Sequence, residues 1–442
     1  MTFTRLLSAT LIAVVIPVGA QAQSPSIRLS LADAITRGLE NSHRIAEARA
    51  REEGAQAAAV TAELAGKPTV GGSANYTRTN HVVPFGFPQP NGTTLVIYPD
   101  IPDNVSTRLQ FQWPIYTSGR VDALERAATA EAQAAGVDID TTRADLRLEI
   151  VRAYWAAATA REAVRVLEES SARAEAQLTD ARQRFDVGLI PPNEVSSLEA
   201  QRSRERAQLI EAGNLRESSL IELRRLIGAP QETIVELTDP LDGSVATPAQ
   251  GAVSDLVKQA LDSRTERKAL TLRIGGAEAR QQAALTGTKP TVAVGGGYDY
   301  ARPNPRLFPR IGEWQHSWDL GVTVNWNFYD FGRARSQAAE ASAVINASRE
   351  RLAEFDSVVS ADVRQRLLDL DTSQAVVRAT ADAVRSATDA RRVVSDRFNA
   401  GVATSTDVLV AQVALLEAEL QRTRALAGVR LAEARLQRSL GQ

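Results

Sequence analysis

Arg184-Phe185-Asp186-Val187-Gly188-Leu189-Ile190-Pro191-Pro192-Asn193-Glu194-Val195 recurs, at an offset of 213, as Arg397-Phe398-Asn399-Ala400-Gly401-Val402-Ala403-Thr404-Ser405-Thr406-Asp407-Val408. Each copy reads as a helix that stops at a glycine, turns, and starts again. Gly188 and Gly401 supply the left-handed stop. Pro191 and Pro192 suit the next helix start in the first copy, and Thr404 to Asp407 suit capping in the second. Working back from these turns, Tyr116-Thr117-Ser118-Gly119-Arg120 matches Tyr329-Asp330-Phe331-Gly332-Arg333 at the same offset, and Leu226-Ile227-Gly228 matches Ser439-Leu440-Gly441. A register held over that length without a gap predicts continuous helix. Proline is absent from 31 to 65, 121 to 186, 193 to 227, 252 to 286 and 334 to 442, as helix interiors require.

The first long run carries apolar residues in a four-three spacing: Leu146, Ile150, Ala153, Ala157, Ala160, Val164, Leu167, Ser171, Ala174, Leu178, Ala181 and Phe185, with Ser171 the one polar member. A period of about 3.5 is that of a helix supercoiled on a partner. The second run, from Val359 to Phe398, is interrupted by Arg366, Ser373, Thr380 and Arg391, which predicts a more polar seam. The repeat extends upstream at an offset of 222, where Lys67-Pro68-Thr69-Val70 recurs as Lys289-Pro290-Thr291-Val292 and Tyr76 as Tyr298. The change of offset falls between Tyr76 and Tyr116, so the first copy holds a longer excursion there.

Two repeats follow. The first, 23–251, is expected to contain a helix at 31–65, strands in 67–116, helices at 121–186 and 192–227, and a linker at 228–251. The second, 252–442, is expected to contain a helix at 252–286, strands in 289–329, and helices at 334–399 and 405–440. The long helix spans about 100 Å at 1.5 Å per residue. The two shorter helices of each copy, stacked end to end, match it, which gives a long hairpin with its chain ends meeting near the middle.

Of 22 aromatic residues, 16 lie in 67–116 and 289–331, so these segments are built differently from the helices. Val70, Gly72, Ala74 and Tyr76 alternate with Gly71, Ser73 and Asn75. Val105, Thr107, Leu109, Phe111, Trp113 and Ile115 alternate with polar partners, as do Trp318, Leu320, Val322, Val324, Trp326 and Phe328. Strands of about ten residues, apolar on one face and polar on the other with aromatics near their ends, fit a membrane barrel; a soluble sandwich edge is the plainer alternative. Each copy supplies two strands, and four are too few to close around an aqueous lumen. Three chains would supply twelve. Segments Asn80 to Asn104 and Arg302 to Glu313 become the outward loops.

Composition excludes other classes. A net charge of -2 leaves no basic field for nucleic acid. Cysteine is absent, the only methionine is Met1, and His43, His81 and His316 lie far apart, so thiol chemistry is excluded and neither cofactor nor metal is expected. Arg5, the apolar run Leu6 to Val18 and Ala20-Gln21-Ala22 read as a cleavable signal peptide, 1–22. The mature chain is then exported without a lipid-anchoring cysteine. Asp330-Phe331-Gly332 lacks the glycine loop of a kinase and reads as a strand-to-helix turn. Gly295-Gly296-Gly297 leads into a strand, not a helix, and is no phosphate cradle. Arg202, Arg204 and Arg206 read as a solvated helix face. No catalytic arrangement stands out, and the expectation is a protein that is not an enzyme.

The two hairpin tips and the strand-to-helix turns resemble those of the TolC family of outer-membrane efflux proteins, over nearly the whole mature chain. The resemblance implies an α+β fold: a trimeric outer-membrane β-barrel with four strands per chain, continuous with a long periplasmic α-helical barrel of coiled-coil hairpins. It implies a homotrimer in the outer membrane extending into the periplasm, in contact with outer-membrane lipid and partnered by a periplasmic adaptor (membrane fusion) protein and an inner-membrane pump. The implied function is the exit duct of a tripartite efflux or type I secretion system. A periplasmic coiled-coil adaptor or a free-standing porin are the alternatives. The implied gate and docking tips are Gly188, Leu189, Asn193, Glu194, Gly401, Val402, Thr404 and Asp407. Phe111, Trp113, Trp318, Trp326 and Phe328 are expected on the membrane face of the strands. Glu194 and Asp407 match the family's mouth-lining acidic positions, whereas Ala403 and Val410 replace an arginine and a second acidic residue.

Overall fold

A computed structural model describes residues 26–243 and 251–442, so the expected signal peptide lies outside the described residues. In chain order the elements are β1 (Ser26–Leu29), α1 (Leu31–Glu40), α2 (His43–Leu64), β2 (Thr69–Arg78), β3 (Phe85–Pro88), β4 (Thr94–Tyr98), β5 (Asp103–Tyr116), α3 (Arg120–Asp186), α4 (Pro192–Leu226), β6 (Ile234–Leu237), α5 (Val253–Ser263), α6 (Thr265–Ala284), β7 (Thr291–Arg302), β8 (Gln315–Asn325), α7 (Arg333–Asn399) and α8 (Ser405–Ser439). Helices α3 and α7 each run for 67 residues. Ten of the twelve stripe positions of α3 are buried, all but Ser171 and Phe185, as a stripe packed against neighbours on both sides demands.

The expected single helices at 31–65 and 252–286 are each two helices. The first breaks at Asn41-Ser42, where Asn41 closes α1 and the Ser42 hydroxyl accepts the Ile45 N–H at the start of α2. Side-chain oxygens of this kind compete with the helical ladder and favour a cap. The second breaks at Arg264, whose extended backbone ends α5 and begins α6. Its guanidinium is held by Asp362 at 2.9 Å and the Ser439 carbonyl at 3.0 Å. These breaks lie where the chain segments meet. Gly228, after α4, packs on Asn41, and Gly441, after α8, packs on Ser263.

The linker 228–251 contributes β6, which pairs in parallel with β1 through Ile27↔Val235 and Leu29↔Leu237. Beneath this pair Tyr154 is fully buried, its hydroxyl donating to the Leu29 carbonyl at 3.1 Å and accepting the Asp239 N–H at 3.2 Å. Leu29, Ile150, Leu223, Val235 and Leu237 share that core.

The larger sheet has the antiparallel order β2-β5-β7-β8. Its register sets Val70, Phe111, Gly296 and Leu320 on one face and Gly71, Gln110, Gly297 and Asp319 on the other. Val70, Leu109, Trp318, Leu320, Val322 and Val324 are all exposed on the apolar face, Trp318 by 73%. The outward loop 80–104 is not irregular throughout, because β3 and β4 form a hairpin in it. Trp326 and Phe328 are not strand residues: β8 ends at Asn325, and both lie exposed on the turn towards α7. The Trp326 indole donates to the Thr288 carbonyl at 3.1 Å instead of facing a ladder neighbour.

Candidate functional site at the hairpin tips

Both tips are built by the same backbone device. At the end of α3 the Gly188 N–H donates to Phe185 O and the Leu189 N–H to Arg184 O, each at 2.8 Å. At the end of α7 Gly401 donates to Phe398 at 3.0 Å and Val402 to Arg397 at 2.9 Å. This pair of bonds, 5→2 and 6→1, is the Schellman closure, and it requires a positive φ at the glycine. Gly188 and Gly401 both have φ of 75°. The residues after them, Leu189 and Val402, are pushed outward and are 74% and 64% exposed.

The return helices start differently. α8 begins with a capping box: the Asp407 N–H donates to the Thr404 hydroxyl at 3.2 Å, and the Thr404 N–H donates to the Asp407 carboxylate at 2.8 Å. The Thr404 hydroxyl donates to the same carboxylate oxygen. These bonds to the Thr404 backbone and hydroxyl, aided by Arg397, hold the Asp407 carboxyl below the usual carboxylate range against a smaller opposing effect of desolvation. α4 has Pro191 at its cap and Pro192 at its first position, with no side-chain cap. Glu194 occupies the place corresponding to Asp407 but has no threonine to close on. Its carboxylate instead accepts the Ser405 hydroxyl at 2.6 Å, across to the other hairpin.

A second contact joins the same two tips. The Arg184 guanidinium lies 4.7 Å from the centre of the Phe398 ring and is also paired with Asp180 at 2.9 Å. Glu194, Thr404 and Asp407 are therefore brought into one end of the molecule with Gly188, Leu189, Gly401 and Val402. Asn193 is exposed there, and its carbonyl accepts the Ser197 hydroxyl at 2.9 Å. Ser405, only 3% exposed, is the neighbour of Glu194 that residue pattern alone did not single out. Its signal is the proline that replaces it at the same place in the first tip. At the opposite end Phe111 and Trp113 lie on β5 and Trp318 on β8, all on the apolar face.

The family described as "Outer membrane efflux protein" matches residues 34–229 and 256–442, both repeats and both tips. The chain belongs to the outer membrane efflux protein family. It is similar to the outer membrane protein TolC of Vibrio cholerae, 26% identical over 344 residues that make up 77% of each chain. Among solved structures it shares the fold of CusC, described as forming a transmembrane channel, with a TM-score of 0.79, 14% identity and coverage of 98% of this chain and 99% of that one. The CmeC outer membrane channel of Campylobacter jejuni superposes with a TM-score of 0.76 at 16% identity, over 93% and 85% of the two chains. Membership of the outer membrane efflux family places the protein in the outer membrane, and the relatives it resembles are channels rather than enzymes. Among the described residues no helix is long and apolar enough to cross a membrane, and the four-stranded sheet is the element with a lipid-compatible face.

Proposed function

We propose that the chain is one third of an exit duct: a homotrimer whose twelve strands close a barrel in the outer membrane and whose helices form a tube across the periplasm. The observation that carries this reading is the sheet itself. It is apolar and exposed on one face and polar on the other, and its outer strands β2 and β8 each have an unpaired edge. Unpaired edges cannot sit in hydrocarbon, so the sheet must be closed by further strands. The helices support the same conclusion. α3 and α7 have equal length, yet α3 buries side chains all along its course from Ala123 to Ala181, whereas α7 buries only Ala334, Ala338, Ile345, Val359, Val363 and Leu370. α7 lacks a neighbour on one flank.

In this reading the tips form the periplasmic mouth, three copies of Glu194 and Asp407 give it a cation-attracting rim, and exposed Leu189 and Val402 offer apolar contacts to a periplasmic adaptor. Conduction is passive, with energy and cargo choice supplied by an inner-membrane pump in an efflux or type I secretion system. Single-channel recording of purified trimer in a planar bilayer tests this. A cation-preferring channel whose preference falls in Glu194→Gln and Asp407→Asn is expected. Folded protein that never inserts would overturn the duct reading in favour of a soluble periplasmic scaffold.

A further inference from the structure

The polar face of the sheet is almost uncharged. Along the four strands it presents Thr69, Gly71, Ser73 and Asn75 on β2 and similar small or amide residues elsewhere, with three charges only: Arg108, Asp299 and Asp319. These three lie side by side. The Arg108 guanidinium donates to Asp299 at 2.5 Å and to Asp319 at 2.9 Å. A fourth charge arrives from outside the sheet. Arg306, in the segment 303–314 between β7 and β8, turns back to meet Asp319 at 2.6 Å and Asp299 at 3.5 Å. Two carboxylates are thus each shared by two guanidinium groups, and the quartet is neutral.

The backbone is shaped around it. A Cβ at Gly297 would lie 2.5 Å from Nη2 and 2.6 Å from Cζ of Arg108, so the guanidinium rests on bare backbone there. This gives one member of the Gly295-Gly296-Gly297 run a definite role, as the close approach of a side chain to a strand requires. The segment is anchored next to Arg306 as well. Asn304, only 1% exposed, donates to the Gln315 carbonyl and the Ser317 hydroxyl, both at 3.1 Å, and accepts the Arg306 N–H at 3.0 Å. Arg310 donates to the Tyr98 hydroxyl at 3.0 Å, tying the segment to the β3–β4 hairpin of the first repeat.

We propose that segment 303–314 is folded into the outer mouth of the barrel and latched there by Arg306 on Asp299 and Asp319, making this quartet a neutral constriction of the outer mouth whose charge balance keeps that end from favouring either sign of ion. The inference rests on the barrel reading above. In a trimer three latched segments converge on one lumen, and each quartet contributes no net charge while it is intact. Loss of Arg306 leaves one net negative charge per chain, and neutralising Asp319 leaves one net positive charge.

The experiment uses purified trimer that inserts into planar bilayers, so that failure of the barrel reading shows first as failure to insert. Arg306→Gln keeps the trypsin site at Arg310-Ile311. Release of the segment is expected to speed cleavage there about fivefold, the upper range for a partly exposed ion pair. Reversal potentials in a salt gradient supply the second readout. Arg306→Gln moves the channel towards cations and Asp319→Asn towards anions, whereas simple loosening of the wall shifts both the same way. Inserting trimers with unchanged cleavage at Arg310, or with both substitutions shifting selectivity in one direction, overturn the proposal.

Discussion

In the proposed trimer, the bare flank of α7 packs against α2 and α4 of the next copy in a register that the internal repeat fixes. α2 begins at His43 and α6 at Thr265, an offset of 222; α3 begins at Arg120 and α7 at Arg333, an offset of 213. Within one chain α6 lies against α3, and Thr141 and Thr265 touch through their hydroxyls at 2.7 Å. The repeat maps Thr141 onto Glu354 and Thr265 onto His43. Both images are exposed in the single chain, while the two threonines are half-buried. A hydroxyl contact of this length limits the separation of the two Cβ atoms to about 5 Å, close to the roughly 3.5–4.5 Å span of a disulfide. Because the chain has no cysteine, a His43→Cys, Glu354→Cys double variant tests the register directly. After mild oxidation, non-reducing electrophoresis in denaturant should show covalent dimers and closed rings of three chains that collapse to one chain on reduction. Thr141→Cys with Thr265→Cys is the internal control, giving a bridged single chain. If the control bridges and the His43, Glu354 pair yields no species larger than one chain, the copies do not meet in this register.

Other outcomes follow from buried groups. Tyr154→Phe deprives the Leu29 carbonyl and the Asp239 N–H of their shared partner and should cost about 1–3 kcal/mol, seen as a lower midpoint in chemical denaturation; no change would mean that these groups find other partners. Burial, the largest single effect, pushes the Glu266 carboxyl up, but hydrogen bonding to Arg438 at 2.6 Å and the charges of Arg438 and Arg264 bring it below the usual range. With its folded value depressed, its contribution is complete above the unfolded value near 4.3 and fades as pH falls through the lower folded one. Thermal midpoints should hold from pH 7 to about 5 and drop below about 4, and Glu266→Gln should flatten part of that drop. Ser405→Ala removes the hydroxyl that joins Glu194 to the second tip and is expected to let the two hairpins of one chain part as readily as those of neighbouring copies, adding sub-conductance openings to single-channel records; identical records would show that the bond does not hold the hairpins together.

The helical repeats and the tip glycines were legible because their physics is local: a proline-free stripe of period 3.5, and a left-handed residue that only glycine adopts cheaply. The pairing of β1 with β6 was not. Each strand is very short, and the partners stand 208 positions apart, Arg28 opposite Glu236, so no local pattern announces them. Alternation overran the true strand at Trp326 and Phe328 because periodicity records composition, while a strand ends where its ladder ends. Arg264 shows the converse case. An arginine is a good helix former, and the distant partners Asp362 and Ser439, which no local pattern announces, meet its guanidinium at the break. At the tips, sequence made Glu194 and Asp407 equivalent; the residue three positions earlier separates them, threonine before Asp407 and proline before Glu194.

That difference bears on how a duplicated chain builds a mouth that opens. Inside one chain the tips are joined twice, by Glu194 on Ser405 and by Arg184 over Phe398. The repeat carries the second contact over to neighbouring copies in the proposed trimer, because Arg397 and Phe185 are its images and both are exposed. It cannot carry the first. Ser405 maps onto Pro192, which has no hydroxyl, and Asp407, the image of Glu194, is already closed on Thr404. Three junctions within chains therefore have a charge-assisted hydrogen bond that three junctions between chains lack, worth roughly 1.5–3 kcal/mol where the acceptor is ionised. With otherwise similar contacts, the weaker set parts first. The mouth then yields between copies, each keeping its own two hairpins together. In the proposed trimer the repeat supplies the shape, and the exchange of a serine for a proline sets where the ring would give way.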